Sequence, residues 1–210
     1  MSQDSFAPDV KLWDAWHPAV AAERLADLDA PWYVAAGWAL DLFRGRQTRE
    51  HEDLEIAVPQ GRFAELRRAL ADLDVFVPVG EGLVSPLDGL TADEFAATHQ
   101  TWFREPSTGR WRLDVFREPS HSKTWICRRD TRLRRPFADV IHRTADGIPY
   151  GAPEIVLLYK AKHAARTKDE ADFAAVRPLL TAAQRAWLCD ALTLVHPGHR
   201  WLEALDQPRR

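Results

Sequence analysis

The sequence has few of the features that would place it in a specialised class of proteins. Only two cysteines, Cys127 and Cys189, occur among the 210 residues, and neither is part of a closely spaced metal-binding pair. No apolar run is long enough to cross a bilayer, so no membrane span is expected. The N-terminal stretch MSQDSFAPDV lacks the basic start and apolar core of a secretory signal, which favours a cytoplasmic protein.

Charge of one sign is also not in excess. The chain has 28 Lys and Arg against 31 Asp and Glu, with a formal net charge of -3. Proteins that coat nucleic acid usually show a strong basic excess, so nucleic acid is not expected as the main partner. A hydrophobic fraction of 46% is typical of a globular protein, and the length suits one large domain or a medium domain with a smaller one.

The distribution of apolar residues predicts two parts of different character. Helices are predicted over about residues 18–27, 38–45 and 60–71, and strands over 32–37, 53–58, 74–79 and 111–116, with a loop-rich region at 80–100. Beyond residue 148 the pattern is helical, and Thr167 with Glu170 and Thr181 with Gln184 fit capping boxes. We therefore predict an α+β fold: a mixed β-sheet flanked by helices over 1–147, then a small helical domain over 148–210.

The segment REHEDLEIAV, residues 49–58, carries acidic side chains on one face of a predicted strand. Asp53 and Glu55 are two residues apart and so emerge on the same side. Asp114 lies on the later strand WRLDVF, which is able to lie beside the first. Three converging carboxylates raise one another's pKa, and a divalent cation such as Mg²⁺ removes that cost. A solvated strand face is the alternative interpretation, and spacing alone does not decide between them.

Residues upstream of this strand favour a phosphate ligand. Gly37 stands at a predicted strand-to-helix turn, where the backbone is able to approach a ligand and helix N–H groups are able to bind phosphate. The basic residues Arg44, Arg46 and Arg49 follow before the acidic strand. A phosphate-binding turn next to a two-metal carboxylate site is what nucleotidyl transfer requires.

Two segments resemble the nucleotidyltransferase superfamily that includes DNA polymerase β. AAGWALDLFRGRQTREHEDLEIAV, residues 35–58, is similar to the GGW…R.TR.H.D.D signature of the aminoglycoside 2″-adenylyltransferase and lincosamide nucleotidyltransferase branch. GIPYGAPEIVLLYKAKHAARTKDEADF, residues 147–173, is similar to the segment that completes the nucleotide site in that branch. With Asp114, the resemblance extends over most of the chain.

The resemblance implies a role for each matching residue. Metal binding and catalysis fall to Asp53, Glu55 and Asp114, with Asp114 as general base, and nucleotide binding falls to Gly37, Trp38, Arg49, His51 and Lys160. Two Mg²⁺ ions and ATP or another nucleoside triphosphate are implied as cofactor and co-substrate.

Several of these residues also have a purely structural interpretation. Trp38 suits core packing beneath the glycine turn, His51 a surface or capping position, and Lys160 a solvent-facing position. Two acids near Lys160, Asp169 and Asp172, suit the first turn of a helix, where negative charge is favourable.

The sequence departs from the family signature at two positions. Ala36 replaces the first glycine, and Glu55 replaces an aspartate and so has a longer reach.

The predicted activity is transfer of AMP, or another nucleoside monophosphate, to a hydroxyl group of a small molecule, with release of pyrophosphate. An aminoglycoside- or lincosamide-like antibiotic is one possible acceptor. The stretch from Glu81 to Glu94 contains acidic residues and no Lys or Arg, a composition that would attract a cationic acceptor. The alternatives are a toxin-type enzyme that modifies RNA or protein, and a non-catalytic nucleotide-binding protein on the same fold. The sequence leaves the acceptor, the preferred base and the oligomeric state open.

Overall fold

The computed structural model describes residues 5–163 and 166–206. The α-helices are α1 (Pro18–Arg24), α2 (Ala36–Arg44), α3 (Phe63–Ala69), α4 (Ala92–Ala96), α5 (Phe137–Val140), α6 (Pro153–Lys160), α7 (Thr167–Val176), α8 (Ala182–Val195) and α9 (Trp201–Asp206). The strands are β1 (Tyr33–Val34), β2 (Glu55–Pro59), β3 (Asp74–Gly80), β4 (Leu83–Pro86), β5 (Gln100–Arg104), β6 (Trp111–Glu118), β7 (Ser120–His121), β8 (Thr124–Ile126), β9 (Arg134–Pro136), β10 (Ile141–Arg143) and β11 (Pro149–Gly151). None of the helices in these ranges has the length and apolarity to span a bilayer.

The chain forms two compact units, and each is built from two separate stretches of sequence. Unit 1 consists of Met1–Val34 with Glu50–Ser120, and unit 2 of Ala35–Arg49 with His121–Arg210. The described residues from Pro153 onward contain helices and no strand, so the change to helical structure lies close to the position expected. A domain boundary at residue 147 remains a prediction.

Unit 1 is built on a mixed sheet with strand order β1-β2-β6-β5-β3-β4. Its central pair, β2 and β6, is parallel, and the other pairs are antiparallel. Ile56, Val58, Leu113 and Val115 project from one face of the central pair and are fully buried, so this face lies against the core. The sheet and its flanking helices confirm the predicted α+β class.

Unit 2 is organised around α6, which is apolar on nearly every side. Its residues from Pro153 to Leu158 are all buried, and the helix packs against α2, α7 and α8. Pro153 occupies the first turn, as the sequence predicts. Shorter antiparallel pairs, β8 with β9 and β10 with β11, complete the unit.

The capping box predicted at the start of α8 is confirmed, and the one predicted at the start of α7 is not. Thr181 and Gln184 form both hydrogen bonds of a capping box. Thr167 is instead the first helical residue of α7, whose N-cap is Arg166 without a side-chain hydrogen bond. A threonine followed three residues later by Glu or Gln fits more than one helical position, so the pattern does not fix the cap.

Several predicted elements have different bounds in the structure. The strand predicted over 53–58 is β2, which begins at Glu55, so Asp53 lies in the segment before the strand. The strand over 32–37 is reduced to β1, the helix over 60–71 starts as a 3-10 turn before α3, and the loop-rich region contains β4 and α4. Helix α4 begins with a capping box between Thr91 and Glu94 that the sequence analysis missed. Short elements such as these depend on tertiary packing more than on local pattern.

Candidate functional site

Two of the three predicted metal-binding carboxylates are direct neighbours across the central strands of unit 1. Glu55, the first residue of β2, is aligned with Asp114 on the parallel strand β6. Aligned residues on neighbouring strands project to the same face of the sheet. Asp53 lies two residues before Glu55, separated from it by the buried Leu54, whose carbonyl accepts from the Asp114 N–H at 2.9 Å. The structure therefore brings Glu55 and Asp114 together, with Asp53 at their side.

Asp114 is the buried member of this group. Its side chain is 3% exposed, Oδ2 accepts a 2.8 Å hydrogen bond from Gln100 Nε2, and the buried Oδ1 has no hydrogen-bond partner among the described residues. Burial raises the pKa of Asp114 well above its ordinary value, and the negative charges of Glu55 and Asp53 raise it further, whereas the Gln100 hydrogen bond and the Trp102 indole lower it. The ionised form of Asp114 is therefore energetically unfavourable at this position.

These residues fit a hard divalent cation by their chemistry. The donors are all carboxylate oxygens, the set that Mg²⁺ prefers, and a cation would compensate the unpaired buried oxygen of Asp114. Within residues 5–163 and 166–206, no three His, Cys, Asp or Glu side chains are already arranged closely enough to hold one ion. The carboxylates are therefore neighbours without forming a closed cage.

The predicted phosphate-binding turn starts helix α2 in unit 2. Gly37 and Trp38 are buried, and the N-cap residue Ala35 makes no side-chain hydrogen bond to the helix. The first N–H groups of α2 therefore lack a side-chain cap. The burial of Trp38 agrees with core packing, the structural interpretation of this residue. His51, which belongs to unit 1, is half-buried.

Ala36 occupies a backbone conformation that suits glycine. Its φ of +48° lies in the left-handed region, which costs an L-residue roughly 1–2 kcal/mol. The glycine of the family signature would adopt this conformation without the steric penalty. Local geometry thus gives a physical reason for the family preference at this position.

We expect Ala36→Gly to stabilise the protein slightly. Relief of the left-handed strain outweighs the greater entropy of glycine in the unfolded chain, for a net gain of up to about 1 kcal/mol in the free energy of unfolding. Urea denaturation measures the change. The matched control is Ala39→Gly in the same helix, which should lose about 1 kcal/mol or more. Equal destabilisation by both substitutions would contradict the strain at Ala36.

Asp41 is a buried acid that the sequence analysis missed. It lies in α2 at 3% exposure, and its two carboxylate oxygens accept from the Thr48 N–H at 3.0 Å and the Thr48 hydroxyl at 2.6 Å. Helix α2 ends at Arg44 with Gly45, whose φ is +70°, as its C-cap, and the Asp41 contacts fix the chain that follows, directly before Arg49. The available signal was an aspartate within the apolar stretch WALDLF.

Thr48→Val should weaken this connection and lower the free energy of unfolding by about 1 kcal/mol, because the Asp41 carboxylate loses one hydrogen bond. Thr48→Ser keeps the hydroxyl and should remain within about 0.5 kcal/mol of the wild type. Chemical denaturation of both variants tests the expectation. Identical stabilities would show that the hydroxyl contributes nothing.

Lys160 and Arg49, the two predicted phosphate contacts of unit 2, share an aspartate. Lys160 Nζ lies 2.9 Å from Asp169 Oδ1 and 2.8 Å from Asp172 Oδ2, and Arg49 Nη2 lies 3.9 Å from the same oxygen of Asp172. The Lys160 side chain is only 11% exposed, so its interpretation as a solvent-facing lysine was wrong. Asp169 lies in the first turn of α7 as expected, whereas Asp172 lies beyond it, and both carboxylates contact this ammonium group.

Comparison with protein-family models identifies a match to part of the chain. A model of the family described as aminoglycoside-2″-adenylyltransferase matches residues 19–79. This range contains Gly37, Arg49, His51, Asp53 and Glu55 and ends before Asp114 and Lys160. No curated protein sequence matches the chain.

Solved structures similar to this one extend the likeness to most of the chain. The lincosamide antibiotic adenylyltransferase LnuA bound to lincomycin has a TM-score of 0.51 at 16% identity, over 74% of this chain and 91% of its own. ANT(2″)-Ia in solution gives 0.53 at 18% identity, over 88% and 91%. ANT(2″)-Ia with adenylyl-2″-tobramycin gives 0.56 at 13% identity, over 84% and 97%. The chain has the nucleotidyltransferase fold.

The family match and the structural likenesses confirm the resemblance inferred from the sequence motifs. They also agree with the nucleotidyltransferase class of enzyme predicted from those motifs. Individual residue roles remain predictions, because at 13–18% identity the likeness to the solved structures concerns the fold.

Proposed function

We propose that this protein is a metal-dependent nucleotidyltransferase that transfers AMP, or another nucleoside monophosphate, to a hydroxyl of a small molecule. The observation that carries the proposal is the alignment of Glu55 with Asp114, together with the unpaired buried oxygen of Asp114. A structural scaffold gains nothing from a buried carboxyl group whose pKa is raised by neighbouring carboxylates. A polyphosphate-binding enzyme gains a cation site.

The proposed reaction is an in-line displacement at the α-phosphorus. The acceptor oxygen bonds to that phosphorus, the bond to the bridging oxygen of pyrophosphate breaks, and the hydroxyl proton passes to the carboxylate of Asp114. The raised pKa of Asp114 makes it a stronger base than an ordinary aspartate. Two Mg²⁺ ions held by Asp53, Glu55 and Asp114 would neutralise charge on the attacking and leaving oxygens.

The remaining site residues are assigned to the nucleotide by the resemblance. Gly37, at the start of α2, would present backbone N–H groups to the triphosphate. Arg49, His51 and Lys160 would stabilise the negative charge that develops on pyrophosphate. Trp38 is buried in the same helix turn.

An antibiotic acceptor is supported by the matched family and by the structural relatives. LnuA is described as bound to lincomycin and ANT(2″)-Ia as bound to adenylyl-tobramycin. The acidic stretch is weaker support than its composition implies. Asp88 pairs with Arg67 at 2.7 Å and Glu94 caps α4, so two of its carboxylates are engaged in structural contacts.

The direct test is pyrophosphate release with each of the four ribonucleoside triphosphates and Mg²⁺, across a panel of aminoglycosides, lincosamides and hydroxyl-bearing metabolites, with RNA as a separate acceptor. Turnover with a small molecule, and a product heavier by one nucleoside monophosphate, would support the proposal. The matched control is Asp53→Asn, which should be inactive and folded. Absence of turnover together with no rise in melting temperature from any triphosphate with Mg²⁺ would favour a non-catalytic protein.

A further inference from the structure

Two helices of unit 2 hold a compact group of charges that the metal site does not use. Asp169 and Asp172 are three residues apart on α7 and therefore project from one face of that helix. Both contact the ammonium of Lys160 at the end of α6, at 2.9 Å and 2.8 Å. Asp169 is 3% exposed, so this charge cluster is largely removed from water.

Asp172 differs from Asp169 because it also faces a cation from a third segment. Its Oδ2 lies 3.9 Å from Nη2 of Arg49, which follows α2 in the chain. The Arg49 side chain is 32% exposed, against 11% for Lys160 and for Asp172. One carboxylate oxygen is thus the common counterion of a buried lysine and a more accessible arginine.

Two cations held close together repel each other, and both side chains are long and flexible. Binding a polyphosphate to disordered cations costs the entropy of ordering them, whereas pre-positioned cations avoid that cost. We infer that Asp172 is a positioning residue that holds Lys160 and Arg49 together for a polyphosphate group. The inference rests on the proposed function for its ligand, and on the ion-pair geometry for its residues.

The opposite effect, in which Asp172 competes with phosphate for the same cations, is disfavoured by the distances. The separation of 3.9 Å between Arg49 Nη2 and Asp172 Oδ2 is too long for a hydrogen bond, so Asp172 attracts the guanidinium without occupying an N–H group. Lys160 has three N–H donors, and its two aspartate contacts leave a third direction for an anion. Asp172 therefore attracts both cations without itself accepting a hydrogen bond from Arg49, and Lys160 retains a third N–H direction for a ligand.

The test is calorimetric binding of inorganic tripolyphosphate to the full-length protein without divalent metal, so that neither acceptor nor carboxylate–metal site contributes. Asp172→Asn should bind about tenfold more weakly than the wild type, because two cations lose their common counterion. Asp172→Glu keeps the charge but displaces it by one methylene, and should bind about two- to fivefold more weakly. Melting temperatures identify any variant that fails to fold.

The matched control is Glu170→Gln on the same helix. Glu170 contacts Arg200 at 2.6 Å and accepts from the Trp201 indole at 2.8 Å. The Glu170→Gln substitution therefore removes one negative charge from α7, as Asp172→Asn does, without changing a contact of Lys160 or Arg49. Its tripolyphosphate affinity should equal that of the wild type. An equal loss of tripolyphosphate affinity in Glu170→Gln would show that the effect of Asp172→Asn comes only from the change in the charge of α7, and would overturn the inference.

The remaining outcomes separate the inference from the proposed function. Wild-type or tighter binding by Asp172→Asn overturns the positioning role, as does the absence of tripolyphosphate binding by the wild type. If Asp172→Asn does not fold, Asp172→Glu decides, and wild-type affinity in that variant overturns the inference. Tripolyphosphate binding that depends on Asp172, in a protein that transfers no nucleotide to any acceptor, supports the inference while contradicting the proposed function.

Discussion

Asp114→Asn is expected to reduce nucleotide transfer by about 10³-fold or more, since the substitution removes both a proton acceptor and a cation ligand while preserving shape. The amide retains an oxygen that is able to accept the Gln100 hydrogen bond, so the strands should remain in register. Initial rates of pyrophosphate release measure the loss. Activity within a factor of ten of the wild type would remove Asp114 from the chemistry.

The same variant should be at least as stable as the wild type when no metal is present. The pKa of Asp114 in the folded protein lies above 3.8, its ordinary value. The proton bound to Asp114 therefore contributes fully to the free energy of unfolding below pH 3.8, and this contribution is lost as the pH rises through the folded pKa. Near neutral pH the buried charge is therefore a cost that asparagine does not have. Melting curves at pH 5 and pH 8 should show a smaller difference for the variant than for the wild type.

Divalent cations provide the control for this interpretation. Mg²⁺ should raise the melting temperature of the wild type, because the ion binds the folded protein and compensates the buried carboxylate. It should have little effect on Asp114→Asn. A rise of equal size in both proteins would place the ion elsewhere.

Arg117→Met should lower the free energy of unfolding by about 3 kcal/mol, a large effect for a single side chain. The buried guanidinium donates to the carbonyls of Phe95 and Gln100 and to the hydroxyls of Thr98 and Thr101. Its removal takes a donor from each of these oxygens, although the Phe95 carbonyl still accepts from Thr98, and a buried oxygen left unpaired costs about 1–3 kcal/mol. Relief of the desolvation that lowers the pKa of Arg117 to about 10 offsets part of the loss.

The matched control for this substitution is Arg110→Met. Arg110 lies next to the start of the same strand, its side chain is 47% exposed, and its ion pair with Asp14 spans 3.9 Å. A surface pair of this kind contributes about 0–1 kcal/mol. Urea denaturation of both variants measures the contrast. A loss at Arg117 no larger than that at Arg110 would contradict the role of the buried hydrogen bonds.

Arg117 also connects the fold of unit 1 to its carboxylates. The guanidinium binds the chain from Phe95 to Thr101, and Gln100 within that stretch donates to Asp114. Arg117→Met should therefore reduce transfer more than Arg110→Met, even at temperatures where both variants remain folded.

Local pattern was most informative where periodicity and end signals coincide. The alternation around Glu55 located strand β2, although the strand begins after Asp53 and Glu55 is its only polar residue, and Pro153 located the start of a buried helix. Prediction was weaker where several registers satisfy the same pattern, as for Thr167, and where short elements depend on packing, as for α4. The left-handed backbone conformation of Ala36 could not be predicted from the sequence, because alanine rarely adopts a positive φ.

The order of residues alone specified which side chains are able to carry the chemistry, because hydrophobic alternation, proline positions and the spacing of carboxylates act over a few residues. Only the tertiary structure decided that Asp114 aligns with Glu55, that Thr48 binds Asp41, and that Asp172 lies between Lys160 and Arg49. These contacts join distant or differently folded segments. Strand register and buried ion pairs depend on the burial of the whole unit, which no local pattern contains.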